Sequence, residues 1–395
     1  MVILKNINAI KIPRRYNLKN KKNIGIIKTQ YFTFANPPDK LRLTGGNYIG
    51  PVTIAYETYG ELNKDRSNAV LILHALSGDA HAAGYHRTSD RKPGWWDEMI
   101  GPGKAFDTDK YFVICSNVLG GCKGSTGPGI INPLTDKPYA LDFPIINIWD
   151  MITCQKELIK YLEIDKLLCV AGGSMGGMQT IAWMIKYPDM IHGAIPIATC
   201  ISHTPQQIAF NEVARQAIMA DENWDNGNYY YSIGPAKGLA VARMLGHITY
   251  MSDTSMAEKF GRQKKHEKPF HFNAAQYQVE SYLHYHGDNF VKRFDANSFL
   301  YITKAMDNFD PLGKRTKQNL FEDLKAKVLV IAFSSDWLYP VYQSKEIIQA
   351  CKLNGVEASY CEIKSSYGHD AFLLEAKNET HLISHFLEKL HHQRC

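Results

Sequence analysis

No stretch of this 395-residue chain approaches the roughly 18 consecutive apolar residues of a membrane-spanning helix, and no hydrophobic signal core follows Met1. Neither a membrane partner nor a secreted protein is therefore expected. The eight cysteines, at positions 115, 122, 154, 169, 200, 351, 361 and 395, form no C-x-x-C pair and have no Cys/His spacing suited to zinc. Without such a pattern they read as small core residues of a reducing, cytoplasmic protein, and no metal is expected. There is no G-x-x-x-x-G-K-[ST] segment, which excludes a P-loop nucleotidase, and no internal repeat. Acidic residues are missing altogether from positions 1–28, which carry Lys5, Lys11, Arg14, Arg15, Lys19, Lys21, Lys22 and Lys28. These eight charges exceed the net +6 of the whole chain, so the body is close to neutral and the basic excess belongs to an arm. A solvated tail is the simplest reading. A transit peptide would share the lack of acids but not the lack of serine, and a nucleic-acid arm would need a binding module that nothing downstream supplies.

What is present is the composition of an ordinary globular protein, 45% hydrophobic and 21% charged, at a length that suits one large domain with a subdomain. Residues 31–43 and 54–59 alternate apolar and polar positions, which predicts an antiparallel opening to a sheet. Continuous apolar runs follow at 68–73, 111–117, 167–171, 191–199, 327–333 and 360–363, each of the kind covered on both faces. Helical patterns lie between them at 147–162, 178–187, 341–351 and 379–391. This alternation predicts an α/β fold with a mostly parallel central sheet covered by helices. It stops between residues 201 and 310, where a helix-like, aromatic segment reads as an inserted lid. The expected organisation is thus an arm at 1–28, a core at 29–200 and 311–395, and a lid at 201–310.

One turn carries chemistry. Gly172-Gly173-Ser174-Met175-Gly176 follows a strand and opens a helix, the setting of a nucleophile elbow. Glycines there let strand and helix approach, and the helix N-terminus aims amides at an oxyanion. A plain glycine-rich βα turn has the same local pattern, so the remaining residues decide. Asp336 follows the run at 327–333 and His369 follows the last strand. Ser, Asp and His in that order, each past a strand's C-terminal end, form the constellation of serine-nucleophile α/β enzymes. In it Ser174 is the nucleophile, His369 the base, and Asp336 the group that orients the imidazole. The backbone N–H groups of Leu76, in the loop after 68–73, and of Met175 are the expected oxyanion hole. The glycine-dense loop 119–128 reads as a cradle for an anionic ligand.

Four blocks, His74–Gly78, Asn117–Pro128, Gly172–Gln179 and Tyr367–Asp370, together resemble the homoserine O-acetyltransferases of the α/β-hydrolase superfamily, from about residue 30 to the C-terminus. The resemblance implies an α/β-hydrolase fold and acetyl transfer from acetyl-CoA to the side-chain hydroxyl of L-homoserine, in methionine biosynthesis, through an acetyl-Ser174 intermediate. It implies no bound cofactor, with acetyl-CoA as co-substrate, and a homodimer built through the lid. It assigns Arg243 to the homoserine carboxylate and Asp370 to its ammonium, a pairing that a zwitterionic acceptor demands on physical grounds too. A stem-packed surface arginine and a helix-capping aspartate are the competing readings. The succinyl-transferring branch is expected to carry an arginine two residues after the catalytic aspartate. Leu338 stands there and favours acetyl. The alternatives are a homoserine or serine O-succinyltransferase and a serine esterase or thioesterase.

Overall fold

The computed structural model describes residues 23–265, 271–272 and 274–392, so most of the basic arm (residues 1–22) and Cys395 lie outside the described residues. Eight strands form one sheet: β1 (Gln30–Phe34), β2 (Val52–Tyr59), β3 (Ala69–Leu73), β4 (Phe112–Ser116), β5 (Cys169–Gly173), β6 (Gly193–Ile197), β7 (Lys327–Phe333) and β8 (Ala358–Ile363). Their spatial order is β1-β2-β4-β3-β5-β6-β7-β8. Only the β1–β2 and β2–β4 pairs are antiparallel, and every later pair is parallel. The alternating opening therefore forms the antiparallel edge, and the continuous apolar runs form the doubly covered centre.

The pleat of β3 shows how both faces are used. Ala69, Leu71 and Leu73 pack into one core, whereas Val70 and Ile72 pack into the other. The first core is closed by α1 (Ile148–Tyr161), α2 (Met175–Lys186) and α8 (Val341–Leu353), through Met151, Leu158, Trp183 and Ile347. The second is closed by α10 (Ala376–His392), which brings Ile383, Phe386, Leu387 and Leu390 against Trp96 and Phe106. Helix α1 starts where Asn147 and Asp150 complete a capping box. Helix α2 starts at Met175, three residues before the helical pattern does. Gly176 and Gly177 are poor helix formers, but the turn at Ser174 commits the chain to helix at once.

Between β6 and β7 the chain leaves the sheet. Helices α3 (Pro205–Met219), α4 (Ala236–Tyr250), α5 (Asp253–Phe260), α6 (Gln278–Val291) and α7 (Ala296–Asp307) occupy this segment. The short α9 (Ala371–Leu374) lies between β8 and α10. All seven described cysteines are free thiols, five of them fully buried, and burial pushes the Cys115, Cys154, Cys169, Cys200 and Cys351 thiols up.

Candidate active site

Ser174 sits between β5 and α2 with φ 57° and ψ −122°, a backbone state costing a non-glycine residue on the order of 1–3 kcal/mol. Neighbouring elements hold it there. Its N–H donates to the Ile197 carbonyl (3.0 Å), and its carbonyl accepts from Thr199 Oγ1 (2.8 Å) and the Gly177 amide (2.9 Å). A Cβ on Gly172 would lie 2.6 Å from the Leu73 carbonyl oxygen, and one on Gly176 would lie 2.0 Å from the same atom. Any larger residue would drive β3 and α2 apart, so the glycines are required by close approach.

The base stands on its predicted partner. His369 Nδ1 lies 2.8 Å from Asp336 Oδ2, with both side chains almost fully buried. Asp336 Oδ1 accepts the N–H groups of Leu338 (3.0 Å) and Tyr339 (2.8 Å), which fixes the carboxylate plane. The Tyr339 ring stacks on His369 at 4.9 Å. Ser174, Leu76, Leu338 and Tyr339 line one cavity, whose walls are Phe210, Ala214 and Leu245. Among the described residues, neither the Leu76 nor the Met175 amide is used as a donor to another protein group.

The loop carrying Leu76 is anchored from three sides. His74 is buried, and its Nε2 accepts the Val118 N–H (3.1 Å) while its Nδ1–H donates to the Ala75 carbonyl (2.8 Å), so the imidazole is the neutral Nδ1–H form. Burial, its largest influence, depresses its pKa in agreement. Gln179 donates to the His74 carbonyl (3.1 Å) from α2. Further along, the buried Glu57 receives His81 Nδ1 (2.9 Å), His86 Nε2 (2.7 Å), Thr29 (2.8 Å) and Tyr59 (2.9 Å). Glu57, His81 and His86 have ligand-type atoms within 4.8 Å of one another, and all three are spent on these mutual hydrogen bonds. None of His74, Gln179 and Glu57 has a local signal that marks it as supporting the site.

Arg243 lies on α4, outside the cavity walls. Its Nη1 donates to Ser77 Oγ (3.3 Å), beside Leu76, and its guanidinium lies over the rings of Phe290 (4.8 Å) and Tyr250 (5.6 Å). Tyr250 is also 5.9 Å from the His369 ring, so one aromatic links the arginine to the base. Among the described residues Arg243 has no ion pair. Phe290 is shared with Arg293, which donates to the Ser77 carbonyl (3.0 Å) and has no sequence motif to announce it. Asp370 precedes α9 but makes no capping bond, so the capping reading fails; the helix is only four residues long. Burial raises the Asp370 pKa against the opposing pull of His369, Arg243 and Lys259.

Part of the glycine-dense loop is spent on the fold itself. The Gly120 and Gly121 amides donate to the Thr126 and Val118 carbonyls, the Thr126 amide to Thr53, and Ser125 and Thr126 hydroxyls accept from the Ala55 and Thr53 amides. Its glycines serve chain packing: a Cβ on Gly127 would lie 2.5 Å from the Gly121 carbonyl oxygen.

Residues 68–376 match the family model of the alpha/beta hydrolase fold. A homoserine O-acetyltransferase of Methanohalobium evestigatum is 57% identical over 368 residues, which span 93% of this chain and 74% of that protein. The crystal structure of homoserine O-acetyltransferase from Bacillus anthracis superposes with a TM-score of 0.86 at 32% identity, covering 92% of this chain and 98% of that one. Esterase E22 superposes almost as well, with a TM-score of 0.84 at 31% identity, covering 92% of this chain and 100% of that one.

Proposed function

This chain belongs to the homoserine O-acetyltransferases of the α/β-hydrolase fold, and from that membership we propose how its own residues carry the reaction. The enzyme moves an acetyl group from acetyl-CoA to the side-chain hydroxyl of L-homoserine, giving O-acetyl-L-homoserine and CoA, a step of methionine biosynthesis. Ser174 Oγ attacks the thioester carbonyl and its proton passes to His369 Nε2. Asp336 holds the Nδ1–H and balances the imidazolium. The oxyanion forms between the Leu76 and Met175 amides. Collapse breaks the C–S bond, and the departing CoA sulfur takes the proton from His369. The homoserine hydroxyl then attacks acetyl-Ser174 and gives its proton to His369, which returns it to Ser174 as the ester bond breaks.

Transfer must outrun hydrolysis, so the acceptor must be held in place. The observation that carries this reading is Arg243, a guanidinium without an ion pair among the described residues, near a base whose neighbour Asp370 has no capping role. Arg243 takes the homoserine carboxylate and Asp370 the ammonium. An arriving cation relieves the burial that raises the Asp370 pKa. Leu338, apolar and on the cavity wall, disfavours a succinyl carboxylate. The enzyme needs no bound cofactor, since acyl transfer by this route involves only side chains and amides.

The segment between β6 and β7 acts as a lid and as the contact surface of a homodimer in the cytoplasm. Val213, Tyr231, Ile233, Val241 and Ile248 are exposed large apolar side chains there, and no helix of the described residues is long and apolar enough to cross a membrane. The likeness to esterase E22 keeps ester hydrolysis as the second reading.

One assay separates them: purified protein with acetyl-CoA or succinyl-CoA against homoserine, serine and water, following CoA release and product mass. O-Acetylhomoserine formed well ahead of acetate is the expected result, and acetate as the main product would establish the esterase instead. Ser174→Ala should abolish the acetyl-enzyme seen by intact-mass spectrometry.

A further inference from the structure

A second buried carboxylate–imidazole pair lies at the nucleophile, and the transfer chemistry above makes no use of it. His203 Nδ1 is 3.0 Å from Asp307 Oδ1, with the two side chains 1% and 4% exposed. Asp307 also accepts from Asn211 Nδ2 (2.7 Å) and Arg215 Nη1 (2.7 Å). Burial alone would raise its pKa, but the hydrogen bonds from His203, Asn211 and Arg215 prevail and keep it below the usual carboxylate range. An ionised Asp307 can only accept, so His203 carries a proton on Nδ1. The other ring nitrogen, Nε2, lies 2.8 Å from the Tyr339 hydroxyl. Tyr339 is also the residue whose ring stacks on His369. His203, Tyr339 and Ser174 all line the same cavity.

The buried Arg215–Asp307 ion pair that anchors this group is a poor device for stability, because apolar residues of similar volume do as well. Its placement fits a different task. The His203 bond ties down the far end of the Tyr339 side chain. Unsupported, the ring is free to shift against His369. With His203 clamped by Asp307, and Asp307 clamped by Arg215, the ring is held. We propose that Tyr339, tied down through its hydroxyl by the His203–Asp307 pair, is a positioning residue for acetyl transfer: its ring fixes the plane of His369, the base that takes the Ser174 proton. This rests on Ser174 being the nucleophile. The stakes are large because a displacement of about 1 Å in a reacting group can cost about a hundredfold in rate.

The test uses the full-length enzyme and the single-turnover rate at which acetyl-CoA acetylates Ser174, read by rapid quench and intact-mass spectrometry. Tyr339→Phe keeps the ring and removes the hydroxyl that ties it to His203. It is expected to slow acetylation by roughly 10- to 100-fold, with KM for both substrates changed less than about twofold. His203→Leu should slow it comparably, His203→Gln should recover part of the loss, and the Tyr339→Phe/His203→Leu double variant should be no slower than Tyr339→Phe alone. Thermal melting identifies any variant that fails to fold; should His203→Leu do so, His203→Gln takes its place in the cycle. Unchanged acetylation in Tyr339→Phe, a loss confined to KM, or losses that multiply in the double variant would each overturn the proposal. If the unsubstituted enzyme formed no acetyl-Ser174, the reading beneath it would fail instead, and the two failures are therefore distinct.

Discussion

Replacing Asp336 by asparagine tests how the site sets the proton on its base. The wild-type carboxylate has two jobs: Oδ1 accepts two backbone N–H groups, at 3.0 and 2.8 Å, and Oδ2 accepts His369 Nδ1–H at 2.8 Å. The asparagine NH2 must occupy one of these places. Turned toward the Leu338 and Tyr339 amides, it would leave two donors without an acceptor, at about 1–3 kcal/mol each. Turned toward His369 it sacrifices one bond, and the imidazole can relieve even that by moving its proton from Nδ1 to Nε2. The second orientation is favoured by the difference, about 1–3 kcal/mol, or roughly five- to a hundredfold in population. In that tautomer Nε2 cannot accept the Ser174 proton. Acetylation should then fall by roughly 10⁴-fold, as in other serine triads, which is about 5.5 kcal/mol of barrier. Melting temperature should move by no more than a few degrees, since the backbone hydrogen bonds survive. Single-turnover acetylation by acetyl-CoA is the assay. A variant retaining more than a tenth of the wild-type rate would refute the tautomer argument, and a collapse of the fold would refute the assigned orientation.

Three further outcomes follow from the same geometry. Arg243→Met should raise the homoserine KM at least tenfold while acetylation of Ser174 continues, and an equal defect in acetylation would remove Arg243 from the acceptor site. Burial alone would raise the Glu57 pKa, but the bonds from His81, His86 and Thr29 bring it from near 4.5 to about 2. A depressed carboxylate contributes stability above pH 4.5 and loses it as pH falls toward 2, on the order of 3 kcal/mol here; Glu57→Gln should flatten that acid limb in denaturation profiles, and an unchanged slope would contradict the assignment. Glu379 is buried in α10 with neither oxygen hydrogen-bonded among the described residues, and burial holds its pKa well above the usual carboxylate value. It is neutral when folded and ionised when unfolded at pH 7, so its cost grows as pH rises above about 4.3. Glu379→Gln should therefore stabilise the protein at pH 7 by about 1 kcal/mol and have no effect near pH 4; a lower melting temperature at pH 7 would show that the carboxyl makes a contact of value.

The sheet was legible because burial on two faces writes itself as unbroken apolar runs: Lys327–Phe333 is a strand from end to end, and Ala69–Leu73 is buried at every position. Ser174, Asp336 and His369 were legible because each sits where a run ends. The groups that support them were not. His203 meets Tyr339 across 136 residues of sequence and Asp307 across 104, and no periodicity relates positions that far apart. Arg293 and Glu57 are hidden for the same reason. At the glycine-dense loop close chain packing and anion binding ask for the same residue, so the sequence alone does not separate them.

The elbow glycines carry one more consequence. Added atoms at 172 and 176 meet backbone, at 173 the Phe372 ring (2.4 Å), and at 177 the Thr199 side chain (2.5 Å). The elbow glycines are thus walled in by β3, the residues just after β6 and the segment after the histidine, and none of the four can be enlarged to reshape what Ser174 acylates. Relatives that share this elbow but differ in substrate must diverge elsewhere, in the helices between β6 and β7 and the loops after β3 and β7. Directed evolution of a new acceptor should therefore leave these four glycines and Ser174 untouched and spend its library on α3, α4 and the positions around Leu338.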